Sequence, residues 1–345
     1  MYSFRNDYSE GAHPKVLQAL TETNLEQTRG YGLDPRCQKA ADLIRSLCAA
    51  PEADVHFLMG GTQANLTVIE ALLKPYEAVL SAHTGHIHVH ETGAVEATGR
   101  KILPLKSADG KVTPAMIESV AELHGDEHQV KPAMVYISNT TEVGTVYSRE
   151  ELSALRQCCD QHGLLLFLDG ARLGSAMACG DLTFPDLAAL TDVFSIGGTK
   201  NGALFGEAVV LPTPRKDFRW YMKRRGAILA KGRLLGVQFQ ALLEDDTFLS
   251  AARHANRLAL RLRDGVAALG YPLPLPSPSN QQFPVLPNDV VEQLRDMGYA
   301  FETDHTVDAG HTCIRLVTSW ATPEQAVEDF LWDLSVCAGA GRETH

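Results

Sequence analysis

Short apolar runs alternate with helical patterns along most of the chain. Residues 55–59, 78–81, 101–105, 133–138, 164–168, 193–196 and 208–211 read as strands, and residues 62–73 and 148–162 between them read as helices, the second opened by a capping box from Ser148 to Glu151. Strands this apolar need cover on both faces, and helical crossovers supply it. The alternation therefore predicts an α/β fold around a mainly parallel sheet. A long amphipathic helix is expected over about 248–269, followed by a turn-rich stretch, 270–280, with prolines at 272, 274, 276 and 278. Beyond it the pattern becomes a small α+β unit, with strands at 282–285, 300–302 and 313–318 and helices at 289–297 and, capped by Thr322, 324–334. The expected division is a large α/β domain over residues 1–247, N-terminal segment included, and a small C-terminal α+β domain over 248–345.

Composition removes several classes of partner. With 345 residues, 45% of them hydrophobic, the chain can bury a large core without disulfides. Lys plus Arg is 31 against 42 Asp plus Glu, a net charge of −11 that disfavours nucleic acid and anionic membrane. One basic run, Lys223-Arg224-Arg225 with Lys231 and Arg233, stands against that background. No apolar run is long enough to span a membrane, and Met1–Asp7 shows no apolar leader. Seven scattered cysteines, with no CxxC pair or zinc spacing, read as reduced thiols in a cytoplasmic protein.

The residues able to carry chemistry stand where strands end. Met59-Gly60-Gly61-Thr62 follows one strand and opens a helix, so free N–H groups and a hydroxyl can meet an anion there, or it is only a tight capped turn. It is neither a Walker A loop nor a GxGxxG fingerprint. Asp169 closes the apolar run 164–168, where ligands of open α/β sheets bind; it wants a cationic partner, whether a protonated ring nitrogen or Arg172. Lys200 follows Ser195-Ile196-Gly197-Gly198-Thr199; held in such a turn, a lysine can lose its proton and act as a nucleophile, although a surface side chain is the plain alternative. His86, His88 and His90 alternate, and on a strand they would share one face, to stack on a flat cofactor or simply to pack. No metal site is expected from them, because no carboxylate-rich partner motif accompanies them.

The order of these pieces is similar to that of the pyridoxal-phosphate enzymes of the aspartate aminotransferase fold type (fold type I). More closely, the chain resembles the threonine aldolase family of the β-eliminating lyase group. The matching pieces are Phe4-Arg5-Asn6-Asp7, Gly30-Tyr31-Gly32-Leu33-Asp34-Pro35, Gly61-Thr62-Gln63-Ala64-Asn65, His86 to Glu91, Asp169-Gly170-Ala171-Arg172, Thr199-Lys200 and Arg315-Leu316-Val317-Thr318-Ser319-Trp320. The resemblance implies pyridoxal 5′-phosphate as cofactor and retro-aldol cleavage of a β-hydroxy-α-amino acid to glycine and an aldehyde. The alternative is β-elimination on the same scaffold.

It also implies roles. Lys200 would hold the cofactor, Asp169 would pair with its pyridine nitrogen, and His86 would stack on its ring. Gly61, Thr62 and Thr199 would surround it, with Lys231 or Arg233 adding charge at the phosphate. Arg172 and Arg315 would take the substrate carboxylate with Asn6 nearby, and Tyr31 would line the site across a subunit boundary. A homotetramer is expected, with a dimer as the smallest active unit. Many members carry a second histidine after an Asn-Thr pair. Here Asn139-Thr140 is followed by Thr141, so the β-hydroxyl proton is expected to pass to His86, directly or through water. Two readings from other classes remain: a non-catalytic amino-acid-binding or phosphate-binding protein, against which Lys200 and Asp169 speak, and a metal hydrolase built on the alternating histidines.

Overall fold

A computed structural model of the chain describes residues 2–340. Its strands are β1 (Asp54–Leu58), β2 (Glu77–Ala82), β3 (Lys101–Leu105), β4 (Lys131–Ser138), β5 (Leu165–Asp169), β6 (Val193–Gly197), β7 (Glu207–Leu211), β8 (Gln281–Gln282), β9 (Val285–Pro287), β10 (Glu302–Thr306) and β11 (His311–Val317). Its α-helices are α1 (Pro14–Glu22), α2 (Pro35–Leu47), α3 (Gly61–Leu72), α4 (His86–Val89), α5 (Pro114–Leu123), α6 (Arg149–His162), α7 (Leu173–Cys179), α8 (Phe184–Leu190), α9 (Phe218–Arg224), α10 (Arg233–Leu243), α11 (Thr247–Ala268), α12 (Asn288–Asp296) and α13 (Glu324–Ala340).

The large sheet has the order β1-β7-β6-β5-β4-β2-β3. Strands β2 to β6 pair in parallel, whereas β7 is antiparallel to both of its neighbours, β6 and β1. Every residue of β2, β6 and β7 is buried. Successive residues point to opposite faces, so Leu80, Val135, Leu166 and Phe194 meet α1, α2, α6, α8 and α10 on one side, while Val79, Met134, Phe167 and Val193 meet α3 and α9 on the other. The expected mainly parallel α/β sheet is thus present. The capping box also forms, with Glu151 N–H donating to Ser148 Oγ at 3.1 Å and Ser148 N–H to Glu151 Oε2 at 2.8 Å.

Register brings chemistry to one edge of this sheet. Ser138 lies opposite Asp169, and Glu207 lies opposite both Gly197 and Leu58. The turns that follow β1, β4, β5 and β6 therefore open into the same space as the head of β7. Gly170 holds β5 against β6 there: a Cβ on it would stand 1.9 Å from Ser195 O, and its N–H donates to Ser195 Oγ at 2.9 Å. Gly170→Ala is expected to cost about 1–3 kcal/mol, the usual range for overpacking, and to lower the denaturant midpoint measurably. An unchanged midpoint would show that the two strand ends separate freely.

A second cluster gathers Leu258, Leu262 and Val266 of α11, Leu294 of α12, Ile314 and Leu316 of β11, and Phe330 and Leu334 of α13. Here β11 pairs with β10, β8 and β9. The expected single strand at 282–285 is split into β8 and β9 around Pro284, which has no N–H to offer a ladder. The strand expected at 300–302 starts later and runs on as the exposed, polar β10, which has no apolar alternation to betray it. Phe4 also belongs to this cluster. Its N–H donates to Ala300 O at 2.7 Å, its carbonyl accepts from Val317 N–H at 2.8 Å, and its ring lies 5.3 Å from that of Phe330.

Candidate active site

Lys200 sits in a single 3₁₀ turn, Thr199–Asn201, directly after β6. Among the described residues its amine has no hydrogen bond or salt bridge, only the Tyr8 ring 6.0 Å away. Burial and the charge of Arg172 lower its pKa, against the pull of Asp7, Asp169 and Glu207. Glu207, the first residue of β7, is buried too; Thr199 Oγ1 reaches its Oε1 at 3.3 Å, and its Oε2 is sealed without a partner. Burial and the charge of Asp169 raise its pKa. Both neighbours are thus driven towards their neutral forms.

Asp169 is the last residue of β5. Its Oδ2 accepts from Tyr136 Oη at 2.6 Å and Asn65 Nδ2 at 2.9 Å, and its Oδ1 accepts from Ala171 N–H at 2.9 Å. Burial and this carboxylate keep the Tyr136 phenol well above its ordinary pKa, so it stays a donor. The same Asn65 Nδ2 donates at 2.8 Å to Glu91 Oε1, which in turn meets His86 Nδ1 at 2.8 Å. One amide therefore ties the strand-end carboxylate to the histidine.

The alternating histidines do not share a strand face. The chain turns helical after β2, so α4 aims His86 inward and leaves His88 and His90 exposed. Strand alternation fails here because Gly85 and His86 already belong to a helical turn. Among the described residues, the His, Cys, Asp and Glu groupings spaced to hold a metal include none of the three.

At the head of α3, Gly60 gives no side-chain cap, and a Cβ on Gly60 or Gly61 would meet nothing within 4 Å. A side chain would fill that cradle; bare, it leaves the N–H groups of a 12-residue helix open to an anion. Gln63 braces the turn from both sides, accepting from Met59 N–H at 3.1 Å and donating to Arg225 O at 3.1 Å. A cavity of about 370 Å³ joins Gly60, Gly61 and Thr62 to His86, Asp169, Arg172, Thr199 and Lys200. That is room enough for a small cofactor. The residues fit pyridoxal 5′-phosphate: an open glycine cradle for the phosphate, a carboxylate held by neutral donors for the pyridine nitrogen, and an unpaired amine for the aldehyde.

The remaining expected residues divide. Arg172 lines the cavity and pairs with Asp7 at 2.7 and 3.0 Å. Asp7 also accepts from Asn280 Nδ2 at 2.9 Å; burial pushes its pKa up, but these bonds and the charges of Arg172 and Lys200 hold it below the usual carboxylate range. Arg315 is not among the residues that line the cavity, but it is close enough to feel the charges of Arg172 and Asp7; its Nε is buried without a partner and its pKa is lowered by burial and by Arg172. Asn6 is occupied by its own turn, with Oδ1 accepting from Tyr8 N–H and Ser9 Oγ.

Tyr31 and Lys231 lie off the cavity within one chain. Tyr31 is exposed in a separate depression, with Arg219 donating to its carbonyl at 3.0 Å and Lys223 5.2 Å from its ring. Lys231 lines another depression beside Arg29 and Arg233. Asp7, Tyr8, Glu142 and Glu207 are the site residues that sequence reading passes over. Only Asp7 and Glu207 had a signal, the first inside the quoted Phe4–Asp7 piece and the second as a carboxylate heading an apolar strand.

Compared with known families, residues 4–288 match the model of the beta-eliminating lyases. A low specificity L-threonine aldolase of Pseudomonas aeruginosa is 35% identical over 344 residues, covering 98% of this chain and 98% of that protein. A solved threonine aldolase structure from Leishmania major superposes with a TM-score of 0.97 at 46% identity, covering 98% of this chain and all of that one. An aspartate aminotransferase from Thermus thermophilus, 17% identical, superposes at 0.71 over 97% of this chain and 91% of its own, a likeness of fold alone.

Proposed function

The chain belongs to the beta-eliminating lyase family and, within it, to the threonine aldolases; from that premise we propose that it cleaves a β-hydroxy-α-amino acid to glycine and an aldehyde. The substrate is threonine, allo-threonine or a phenylserine-like amino acid, and the cofactor is pyridoxal 5′-phosphate. One observation carries the reading: the unpaired amine of Lys200 and the neutrally held carboxylate of Asp169 face one cavity, in a chain related over its whole length to aldolases.

The chemistry that pyridoxal 5′-phosphate would supply here, when bound, is an electron sink for a substrate carbanion. The chain's own residues do the rest. Lys200 would hold the cofactor through its aldehyde. Asp169 would keep a proton on the pyridine nitrogen, and Gly60, Gly61 and Thr62 would hold the phosphate, while Thr199 braces the turn by accepting from Gly206 N–H at 3.0 Å. His86, its Nδ1 fixed by Glu91, would meet the ring. Arg172 and Arg315 would take the substrate carboxylate and so fix the orientation of the substrate in the cavity. Asn6 fixes the turn that presents Asp7 to Arg172.

The protein reconstituted with cofactor is expected to release acetaldehyde and glycine from at least one of L- and D-threonine and L- and D-allo-threonine. Release of a 2-oxo acid and ammonia instead would make it a β-eliminating lyase. No release from any isomer or from phenylserine would overturn the aldolase reading.

The finer expectations belong here as proposals. A division near α11 is supported by two core clusters that meet on it, one reaching Phe248 and the other gathering Leu258, Leu262 and Val266; Phe4 packs in the second, so the start of the N-terminal segment goes with the small unit rather than the large one expected. A homotetramer, active from the dimer upward, is supported by charge. Arg172 and Lys200 are the cations lining the cavity among the described residues, while Lys231 and the Tyr31 depression lie on the surface, open to a second copy. A cytoplasmic location is supported by seven cysteines that are all free. Among the described residues no helix is long and apolar enough to cross a membrane.

A further inference from the structure

We propose that Glu142 is the base that takes the β-hydroxyl proton of the substrate, a role that rests on the aldolase reading above. Among the described residues, three carboxylates line the cavity: Asp169, Glu207 and Glu142. Both oxygens of Asp169 are occupied by donors. Glu207 turns its free oxygen into sealed protein. Glu142 differs from both. Its Oε1 is fixed by Ser138 Oγ at 2.7 Å and by the backbone N–H of His86 at 2.8 Å, both neutral donors. Its Oε2 has no bond from another residue and is not among the sealed atoms, and no cation pairs with it among the described residues. It is therefore the carboxylate oxygen with lone pairs to give to something in the cavity.

The surroundings suit the task. Burial raises the Glu142 pKa, only partly offset by the Ser138 and backbone hydrogen bonds, so the group accepts a proton more readily than an ordinary carboxylate. Its charge reaches Arg172, so the base and the carboxylate anchor share one site. His86, to which the sequence assigned this proton, already has Nδ1 committed to Glu91 and lends its backbone N–H to Glu142. Thr141, which follows Asn139-Thr140, is buried with its hydroxyl on Thr145 at 2.8 Å, whereas Thr140 and Glu142 on either side of it reach the cavity, and of these two only Glu142 carries a carboxylate.

In the step, the substrate O–H bond breaks and its proton passes to Glu142 Oε2. The electron pair of that bond becomes the second C–O bond of the aldehyde. The Cα–Cβ pair remains with Cα, stabilised by bound pyridoxal 5′-phosphate, and ends as a C–H bond when a proton is taken up to give glycine. Glu142 then returns its proton to water.

Glycine separates this role from a structural one, because it has no β-hydroxyl but still exchanges its α-proton. In Glu142→Gln, cleavage of the isomer that wild type accepts should fall by about 10²–10⁴-fold, the usual worth of a general base. Glycine should still shift the cofactor absorbance, and its α-proton exchange in D₂O, followed by NMR, should fall far less than cleavage. Near-wild-type cleavage in the variant would overturn the proposal. So would a parallel loss of cleavage, exchange and glycine binding, which marks a structural support. Should Glu142→Gln fail to take up cofactor, Glu142→Asp decides the same way: cleavage falling more than exchange supports the role, and an equal fall overturns it. A wild type that cleaves no isomer would instead fail the aldolase reading itself.

Discussion

Lys200→Ala is expected to abolish cleavage, with turnover down by roughly 10⁴- to 10⁶-fold, the range seen when a covalent nucleophile is removed. The size follows from the absence of a substitute. The amine stands alone at the end of β6, and the other cation lining the cavity among the described residues, Arg172, is a guanidinium already engaged by Asp7. An arginine at position 200 would keep the charge but not the neutral amine that burial and Arg172 favour, so Lys200→Arg should be as dead as the alanine variant. Mass spectrometry after borohydride reduction checks the cause directly. Wild type should keep the cofactor covalently fixed to the peptide that contains Lys200, and both variants should lose it. Retained turnover in Lys200→Ala would remove this residue from the mechanism.

Asp169→Asn should have the next largest effect. The substitution keeps shape and removes the charge that would face a protonated ring nitrogen. Breaking such a buried pair costs about 3–5 kcal/mol, or roughly 10²- to 10⁴-fold. The loss should show both as weaker cofactor retention on dialysis and as slower cleavage. Some of it comes from disorder of the surrounding bonds, since Tyr136 and Asn65 now meet an amide where they met a carboxylate. Asp169→Glu separates the two contributions: it restores the charge in a displaced position, and it should recover retention more than rate. Wild-type turnover in Asp169→Asn would exclude a pyridinium partner here.

The strand ends were legible because they are local. An apolar run that stops at Asp169, or one that breaks into Gly197-Gly198-Thr199-Lys200, announces a buried strand and the residue that must emerge from it. Gly60-Gly61 preceding an apolar helix is readable for the same reason. His86 was legible as a residue but not as an element, since the spacing of three histidines fits a strand and the glycine before them starts a helical turn. The starts of α1 and α2 carried signals that the reading passed over: Pro14 and Pro35 at the first helical positions, after His13 and Asp34 whose side chains accept from Lys15 and Cys37 N–H. Glu142 was not legible at all. It lies in a loop after β4 and owes its place to Ser138 and to a backbone group 56 residues away, neither of which leaves a pattern in sequence.

Phe4 and Phe330 meet edge to face in one cluster although 326 positions separate them. On a ribosome the chain emerges from its amino end, so Phe4 must wait exposed, or in temporary company, until α13 has been made. The same short segment carries Asp7, whose bonds to Arg172 and Asn280 join early, middle and late stretches of the polypeptide. The nascent protein can build its large sheet as it is synthesised, but the anchor for an incoming carboxylate is assembled only after Asn280 has been made.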